Sequence, residues 1–340
     1  MKTVRLGKTG LEVSRVGMGG IPLTRPTEAD AADLVRRAVE LGVTFFDTAR
    51  GYGDSEKRLG MGLKGRRGEV VIATKGGAKA LEQIEESLRQ LQTDYIDVWQ
   101  FHGVNTESAY EFVMTQGPYE QAQQALRDGK IRHLGLTSHT PDVAARAVES
   151  GDYETVQFPL NLLYPEAIER LAPAAKEHDV GLIGMKPFAG GRLDNANLAI
   201  RYLLQFDNIV PDPGIEKPEE IEEIVGIVNS GAWDLTAEDQ QAIERTREKV
   251  GTVFCRRCGY CSPCPEGVAI VPLMNVDILA ELWDPEWFFS FIEEPIASAA
   301  KCIDCGACEE KCPYNLPIRE MIRKHVDLHA RLLKKREAAA

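Results

Sequence analysis

Eight short apolar, β-branched runs, alternating with segments of helical periodicity, constrain the fold of this chain more than any other feature. The runs are "VSRVGMG" (13–19), "VTFFDTA" (43–49), "EVVIATK" (69–75), "YIDVWQFH" (95–102), "IRHLGLTS" (131–138), "TVQFPLN" (155–161), "VGLIGMKPF" (180–188) and "NIVPDPG" (208–214). Between them lie amphipathic patterns over 28–42, 80–92, 119–130, 141–151 and 218–231. A strand that feeds a helix before the next strand runs parallel to that neighbour, because an antiparallel partner needs only a tight turn. Eight such units in about 230 residues have the size of a closed (β/α)8 barrel of the α/β class. An open doubly wound sheet would carry G-x-G-x-x-G after its first strand, and the first run is followed by nothing of that form. A helix over 236–251, with Thr236 as N-cap and Glu238 and Asp239 in its first turn, closes the barrel region.

Composition changes abruptly after residue 250, which divides the chain into a barrel, 1–250, and a small C-terminal domain, 251–340. All eight cysteines lie in the second part, as C-x2-C-x2-C-x2-C-P from Cys255 and C-x2-C-x2-C-x3-C-P from Cys302. The second spacing is the bacterial ferredoxin run and the first is one residue shorter. Three cysteines at intervals of three sit on one turn and ligate one cubane, and the fourth, before proline, reaches the other cluster. One [4Fe-4S] cluster then takes Cys255, Cys258, Cys261 and Cys312, and its partner takes Cys302, Cys305, Cys308 and Cys264. Structural zinc is the competing reading, but four cysteines so close together crowd one tetrahedral ion. The spacer 265–301 and the flanks of the second run read as helices, so the domain is expected to be mainly helical.

Forty Lys+Arg against 52 Asp+Glu give a net charge of −12, which repels nucleic acid and anionic membrane surfaces. "MKTVRLGKTGLEVSRVGMGG" has no apolar signal-peptide core, and no window reaches a membrane-spanning apolar length. The expected location is the cytoplasm, where a tight cysteine array binds metal rather than forming disulfides.

Active sites of such barrels lie at the C-terminal ends of the strands. Asp47 ends the second run, Tyr52 follows in the loop, Lys75 ends the third, and His102 ends the fourth. A phenol with a reference pKa of about 10 donates a proton slowly near neutrality unless a cation stabilises the phenolate. Lys75 is placed to supply that cation, Asp47 to hold Lys75, and His102 to orient a carbonyl. The loop after the fourth run, "HGVNTESAYEFVMTQGPYE", is long enough to overhang a pocket, with Tyr110, Phe112 and Met114 as candidate substrate walls.

"FFDTARGYGDSE", "IATK", "WQFH" and "LGKTGLEVSRVGMGG" together resemble the aldo/keto reductase superfamily over roughly residues 3 to 250. The resemblance implies NAD(P)H bound without a Rossmann fold and a tetrad of Asp47, Tyr52, Lys75 and His102, with Tyr52 as general acid. It also implies cofactor contacts at Gly20, at Thr137, Ser138 and Gln157 for the carboxamide, and at Gly214, Lys217 and Glu223 for the adenosine end. The run Met185, Lys186, Pro187 and Phe188 replaces the usual aromatic-Ser-Pro-Leu, so Met185 takes the place of the ring that stacks on nicotinamide, and Lys186 brings a cation toward the pyrophosphate. Glu220 stands where an arginine usually clamps a 2′-phosphate, with Glu216 nearby, and Ile224 replaces an adenine-binding asparagine. Two carboxylates there repel a phosphate, which makes NADH a candidate alongside NADPH. The tail resembles the two-cluster ferredoxin domains appended to a subset of these reductases.

Two classes of function follow. One is an oxidoreductase moving a hydride between NAD(P)H and a carbonyl or alcohol, with the clusters serving structure or an electron-transfer partner. The other is an iron–sulfur electron-transfer or partner-docking protein whose barrel is a scaffold. A nicotinamide moves two electrons and a cubane one, and no flavin motif is evident to mediate between them.

Overall fold

The computed structural model describes every residue except Thr252, Arg257, Cys258, Tyr260, Pro313 and Ala340, and leaves the side chains of Leu282 and Ala339 undescribed. It divides into two compact units, Met1–Ala189 with Leu193–Glu244, and Gly190–Arg192 with Arg245–Ala340.

In the first unit an antiparallel hairpin, β1 (Thr3–Arg5) and β2 (Glu12–Ser14), precedes eight parallel strands. These are β3 (Met18–Gly19), β4 (Phe45–Asp47), β5 (Val71–Gly76), β6 (Ile96–Phe101), β7 (Ile131–Thr137), β8 (Thr155–Pro159), β9 (Gly181–Met185) and β10 (Ile209–Asp212), each paired with the next. The sheet closes on itself: Gly19 bridges Gly214 in parallel, and the N–H groups of Gly17 and Gly19 donate to the carbonyls of Pro211 and Pro213 at 2.8 and 2.7 Å. The helices α1 (Glu28–Glu40), α2 (Ser55–Gly62), α3 (Ala80–Leu91), α4 (Glu107–Thr115), α5 (Pro118–Arg127), α6 (Pro141–Glu149), α7 (Pro165–Glu177) and α8 (Ala196–Leu204) fill the connections. After the last strand come α9 (Pro218–Ser230) and α10 (Ala237–Val250), α10 running on past Glu244, where this unit ends. Thr27 caps α1 by accepting from the N–H of Asp30, and four helices start on proline, which lacks the N–H that a first turn leaves unpaired. Every residue of β5 and β6 is buried, as parallel strands covered on both faces require.

The expected first strand over 13–19 is in fact two pieces. Val13 and Ser14 belong to the hairpin, and only Met18 and Gly19 join the barrel. Between them the buried guanidinium of Arg15 donates to the carbonyls of Ile209 and Phe206, pinning the start of the barrel to its last strand. Ser14 and Thr44 exchange side-chain-to-backbone hydrogen bonds at 2.7 and 2.8 Å in place of a continuous ladder. The hairpin contributes Leu6 and Val13 to an interior cluster with Phe45, Val71, Ala73, Val98, Ile183 and Val210 that floors the barrel. Gly7 makes this approach possible: its φ is +53°, and a Cβ there would lie 2.2 Å from the nitrogen of Gly181. Gly7→Ala therefore combines left-handed strain with a backbone clash, and its expected cost is at least about 2 kcal/mol, read as a lowered denaturant midpoint at unchanged slope.

In the second unit, α11 (Ile270–Leu273), α12 (Val276–Leu282), α13 (Pro285–Ser298), α14 (Ala307–Glu310) and α15 (Ile318–Ala339) are the regular elements, with no strand among the described residues. Its core gathers Cys261 and Cys312 with Val268, Ile270, Leu273, Met274, Leu316, Ile318 and Ile322. A second cluster joins Val276 and Leu279 to Phe288 and Ile292. Arg192 pairs with Asp277 at 3.2 Å. Among the described residues no helix is long and apolar enough to cross a membrane.

Candidate active site and cysteine cavities

At the C-terminal ends of β4, β5 and β6 the structure brings Asp47, Tyr52, Lys75 and His102 together. The Lys75 ammonium donates to Asp47 Oδ2 at 2.5 Å and to the Thr48 carbonyl at 2.7 Å, and it lies 5.0 Å from the Tyr52 ring centroid. The His102 ring meets that of Tyr52 edge-on, with centroids 5.6 Å apart. Burial works against the Lys75 charge, yet the Asp47 carboxylate and the Tyr52 oxygen carry its pKa above the ordinary value. Burial and Lys75 lower His102 to about 4, so its imidazole is neutral near pH 7. Tyr52 departs from expectation. Burial outweighs the charge and hydrogen-bonding pull of Lys75, and the phenol sits above its usual range rather than below it.

Beneath this group lies a polar layer that sequence reading missed. In β4, β6, β8 and β10 the interior positions repeat every second residue as Phe45 and Asp47, Val98 and Gln100, Thr155 and Gln157, Val210 and Asp212. The upper member of each pair forms a layer of four from alternate strands, as barrel geometry dictates. The Gln100 amide donates toward Asp47 Oδ1 at 3.5 Å and to Gln157 Oε1 at 3.2 Å, and Gln157 donates to Asp212 Oδ2 at 3.1 Å. Counting two residues on from the apolar floor along "NIVPDPG" would have found Asp212.

The expected cofactor positions are placed as follows. Gly20 donates its N–H to the Asp47 carbonyl at 2.6 Å, and a Cβ there would lie 2.8 Å from that oxygen. Gly214 forms the barrel-closing bridge. The Thr137 hydroxyl accepts from the Gly103 N–H at 2.8 Å, and that of Ser138 from the Thr140 N–H at 3.1 Å. Both ends of the Gln157 amide serve the polar layer. Past Met185, which is half-buried at the end of β9, Lys186 and Ala189 take left-handed φ values of 56° and 50° around Pro187 and Phe188. Asn161 donates to the Lys186 carbonyl at 3.2 Å. The Lys186 ammonium lies 3.1 Å from His139 Nε2, and burial, Lys186 and His102 hold that imidazole neutral. Lys217 is the N-cap of α9, and Glu223 is exposed one turn on. The Glu220 carboxylate accepts from the N–H groups of Glu216 and Lys217 at 2.7 and 3.1 Å, so it caps the helix as well as carrying charge, while Glu216 pairs with Arg25 at 2.6 Å. Ile224 is buried in the core between strands and helices.

The reading of 102–120 as an overhanging loop is corrected: α4 occupies it. Tyr110 is buried edge-on to Tyr153, the Tyr153 hydroxyl donates to the Met114 sulfur at 3.2 Å, and Phe112 is exposed. Tyr110 and Met114 fasten α4 to the outside of the barrel, and the open cavity they line there with Asp142, Arg146 and Arg170 includes none of Asp47, Tyr52, Lys75 and His102.

In the second unit, Cys264, Cys302, Cys305 and Cys308 line one cavity, together with Cys261. Cys255, Cys261 and Cys312 line another. Cys258 lies outside the described residues. The seven described cysteines are all free of disulfides, and burial raises the Cys308 thiol. Among the described residues no three His, Cys, Asp or Glu side chains converge closely enough to share a single metal ion.

Residues 15–198 match the Aldo/keto reductase family, and residues 254–316 match the 4Fe-4S dicluster domain. L-galactose dehydrogenase of Arabidopsis thaliana is 34% identical over 211 residues, 55% of this chain and 66% of that protein. Aldo-keto reductase YhdN of Bacillus subtilis (strain 168) is 28% identical over 253 residues, 67% of this chain and 74% of that protein. The chain thus spans about two thirds to three quarters of these relatives. Among solved structures, the holo form of aldo-keto reductase AKR11C1 from Bacillus halodurans aligns with a TM-score of 0.63 at 26% identity, covering 72% of this chain and 96% of that one.

Proposed function

The chain belongs to the aldo/keto reductase family and carries a 4Fe-4S dicluster domain, and from that premise we propose that its barrel transfers a hydride between NAD(P)H and a carbonyl or alcohol substrate. The observation that carries this reading is the convergence of Tyr52, Lys75, Asp47 and His102 at one strand-end rim. When bound, the dinucleotide supplies the hydride. Gly20, Thr137, Ser138, Gln157, the run Met185 to Phe188, Gly214, Lys217 and Glu223 are the residues that would hold it. The hydroxyls of Thr137 and Ser138 suit a carboxamide and the cations of Lys186 and Lys217 a pyrophosphate, while the Gln157 amide is engaged in the polar layer below.

The chain's own residues handle the proton. Tyr52, kept neutral by burial, donates its phenolic proton to the carbonyl oxygen as negative charge develops there. The phenolate left behind faces Lys75, whose charge Asp47 maintains. Neutral His102 orients the oxygen as a hydrogen-bond partner, since its ring is not protonated at working pH. In the alcohol-oxidising direction the same phenolate takes the proton back. An intact rim of this kind favours an enzyme over a barrel kept as scaffold.

In the second unit we propose two [4Fe-4S] clusters, one held by Cys255, Cys258, Cys261 and Cys312 and one by Cys302, Cys305, Cys308 and Cys264. Two separate thiol-lined cavities support this reading. Exposed Cys302 and Cys305 fit a reducing, cytoplasmic setting and exchange of electrons with a partner protein.

The test supplies NADH and NADPH deuterated at the transferable position, with a panel of aldehydes. Deuterium on the alcohol carbon is expected. Because Glu216 and Glu220 crowd the start of α9 with negative charge, NADH is expected to outpace NADPH by about tenfold, about 1.4 kcal/mol. Tight dinucleotide binding with no deuterium transferred would sink the reading.

A further inference from the structure

Asp212 has no role in the scheme above, yet it completes the polar layer under Lys75. The residue is 4% exposed, Gln157 donates to one carboxyl oxygen, and the other, Oδ1, has no hydrogen-bond partner among the described residues. Gln100 Oε1 lacks a donor as well. A buried layer nearly always satisfies its acceptors, so this one is short of protons as drawn with both aspartates ionised. β4 and β10 flank β3, and Gly17, just before β3, lies against Asp212: a Cβ there would sit 3.3 Å from Asp212 Oδ1. The Asp47 charge acts on Asp212, and two ionised carboxylates have no hydrogen to place between them.

We infer that Asp212 and Asp47 share one proton, held mainly by Asp212 near neutral pH, so that Asp212 is a positioning residue that aims the Asp47 carboxylate at Lys75 and keeps the floor beneath Tyr52 electrically neutral. The charges balance: Lys75 carries +1, and the two carboxyls with one proton between them carry −1. The charged and titratable groups that face Asp212 are Asp47, Lys75 and Tyr52. Burial first, and the Asp47 charge second, push the Asp212 carboxyl well above the usual carboxylate range, and Lys75 offsets only part of this. Two carboxyls in a dry site cannot both ionise cheaply.

The consequence for catalysis rests on the reading of Tyr52 as the acid; the shared proton does not. Loss of that proton at high pH puts a net negative charge under Tyr52, which raises the phenol further and slows proton donation. The stability consequence has a fixed sign. Asp212 is protonated in the fold at pH values where it is ionised in the unfolded chain, so its contribution falls as pH rises from about 4 toward the raised folded value. Asp212→Asn therefore gains stability relative to the parent protein as pH increases.

Infrared difference spectra of the full, cluster-loaded chain against Asp212→Asn test the inference. At pH 7 the parent is expected to show the C=O stretch of a protonated carboxyl that shifts in D2O and is missing from the variant. Asp212→Asn keeps the carbonyl-reduction rate within about threefold at pH 7, and its alkaline limb moves up by about one pH unit or more. Should that variant not fold, the parent alone serves: its band is expected to persist through neutral pH and to fade only as the pH is raised into the alkaline range, where the shared proton is lost. A parent without the band at pH 7, a band that persists in Asp212→Asn, or one that fades between about pH 4 and 6, as that of an ordinary carboxyl does, would overturn the shared proton. Full turnover in Tyr52→Phe with the band intact would instead overturn the tetrad reading alone.

Discussion

Tyr52→Phe is expected to lower kcat for carbonyl reduction by about 10²- to 10⁴-fold while leaving the dinucleotide dissociation constant nearly unchanged. The substitution removes one hydroxyl and keeps the ring, so the edge contact with His102 and the space above Lys75 are preserved. A loss confined to kcat marks an interaction made only in the transition state. The pH profile separates this assignment from one in which His102 donates the proton. Burial and Lys75 put His102 at about 4, so its charged form is scarce above pH 5, and the parent rate should show no inflection between pH 6 and 7, where an exposed histidine titrates. If Tyr52→Phe stays within about threefold of the parent, or if a limb near 6.5 vanishes on replacing His102, the proton comes from elsewhere.

The parts of this architecture that depend on local pattern are the parts that sequence reading recovers. Apolar, β-branched runs and amphipathic segments report burial directly, which is why β5 and β6, buried at every position, stand out in "VVIATK" and "IDVWQF". What local pattern does not encode is which distant backbone a residue meets. Alternation across 13–19 looks continuous, but the break after Ser14 is set by its exchange with Thr44 and by Arg15 reaching the carbonyls after α8. Tyr110 and Met114 look like walls of the strand-end site until Tyr153 is known to pack against them and the cavity they line to lie against α6 and α7. Glu220 reads as a repulsive charge, and only the turn of backbone at 216–217 makes it a cap as well. Tyr52 shows the same limit for electrostatics. The sequence names the cation beside the phenol, whereas the depth of burial that outweighs it belongs to the assembled rim.

Crossed ligation in the cysteine domain makes the other large prediction. The anaerobically purified chain is expected to hold about eight iron and eight sulfide with no zinc, and a Cys302, Cys305 and Cys308→Ser triple variant about four iron. Adding Cys312→Ser to that triple removes the remaining four, because Cys312 shares its cavity with Cys255 and Cys261 from the first run. Adding Cys264→Ser instead leaves four, because Cys264 lines the cavity of the run already deleted. If each run ligated its own cluster, the two outcomes would be exchanged: Cys264→Ser would empty the site and Cys312→Ser would not. Local spacing alone already favours the crossed arrangement, since a cysteine just before proline leaves the turn that holds the other three. The fold supplies a separate reason. Cys261 and Cys312 sit in one apolar cluster with Ile270, Leu273 and Ile318, so ligating both ties the two halves of the domain through its core. Metal binding is then folding energy for this unit, and chelation should unfold it. Circular dichroism before and after iron removal should show helix lost from a chain ending at Ala340 and far less lost from one ending at Val250.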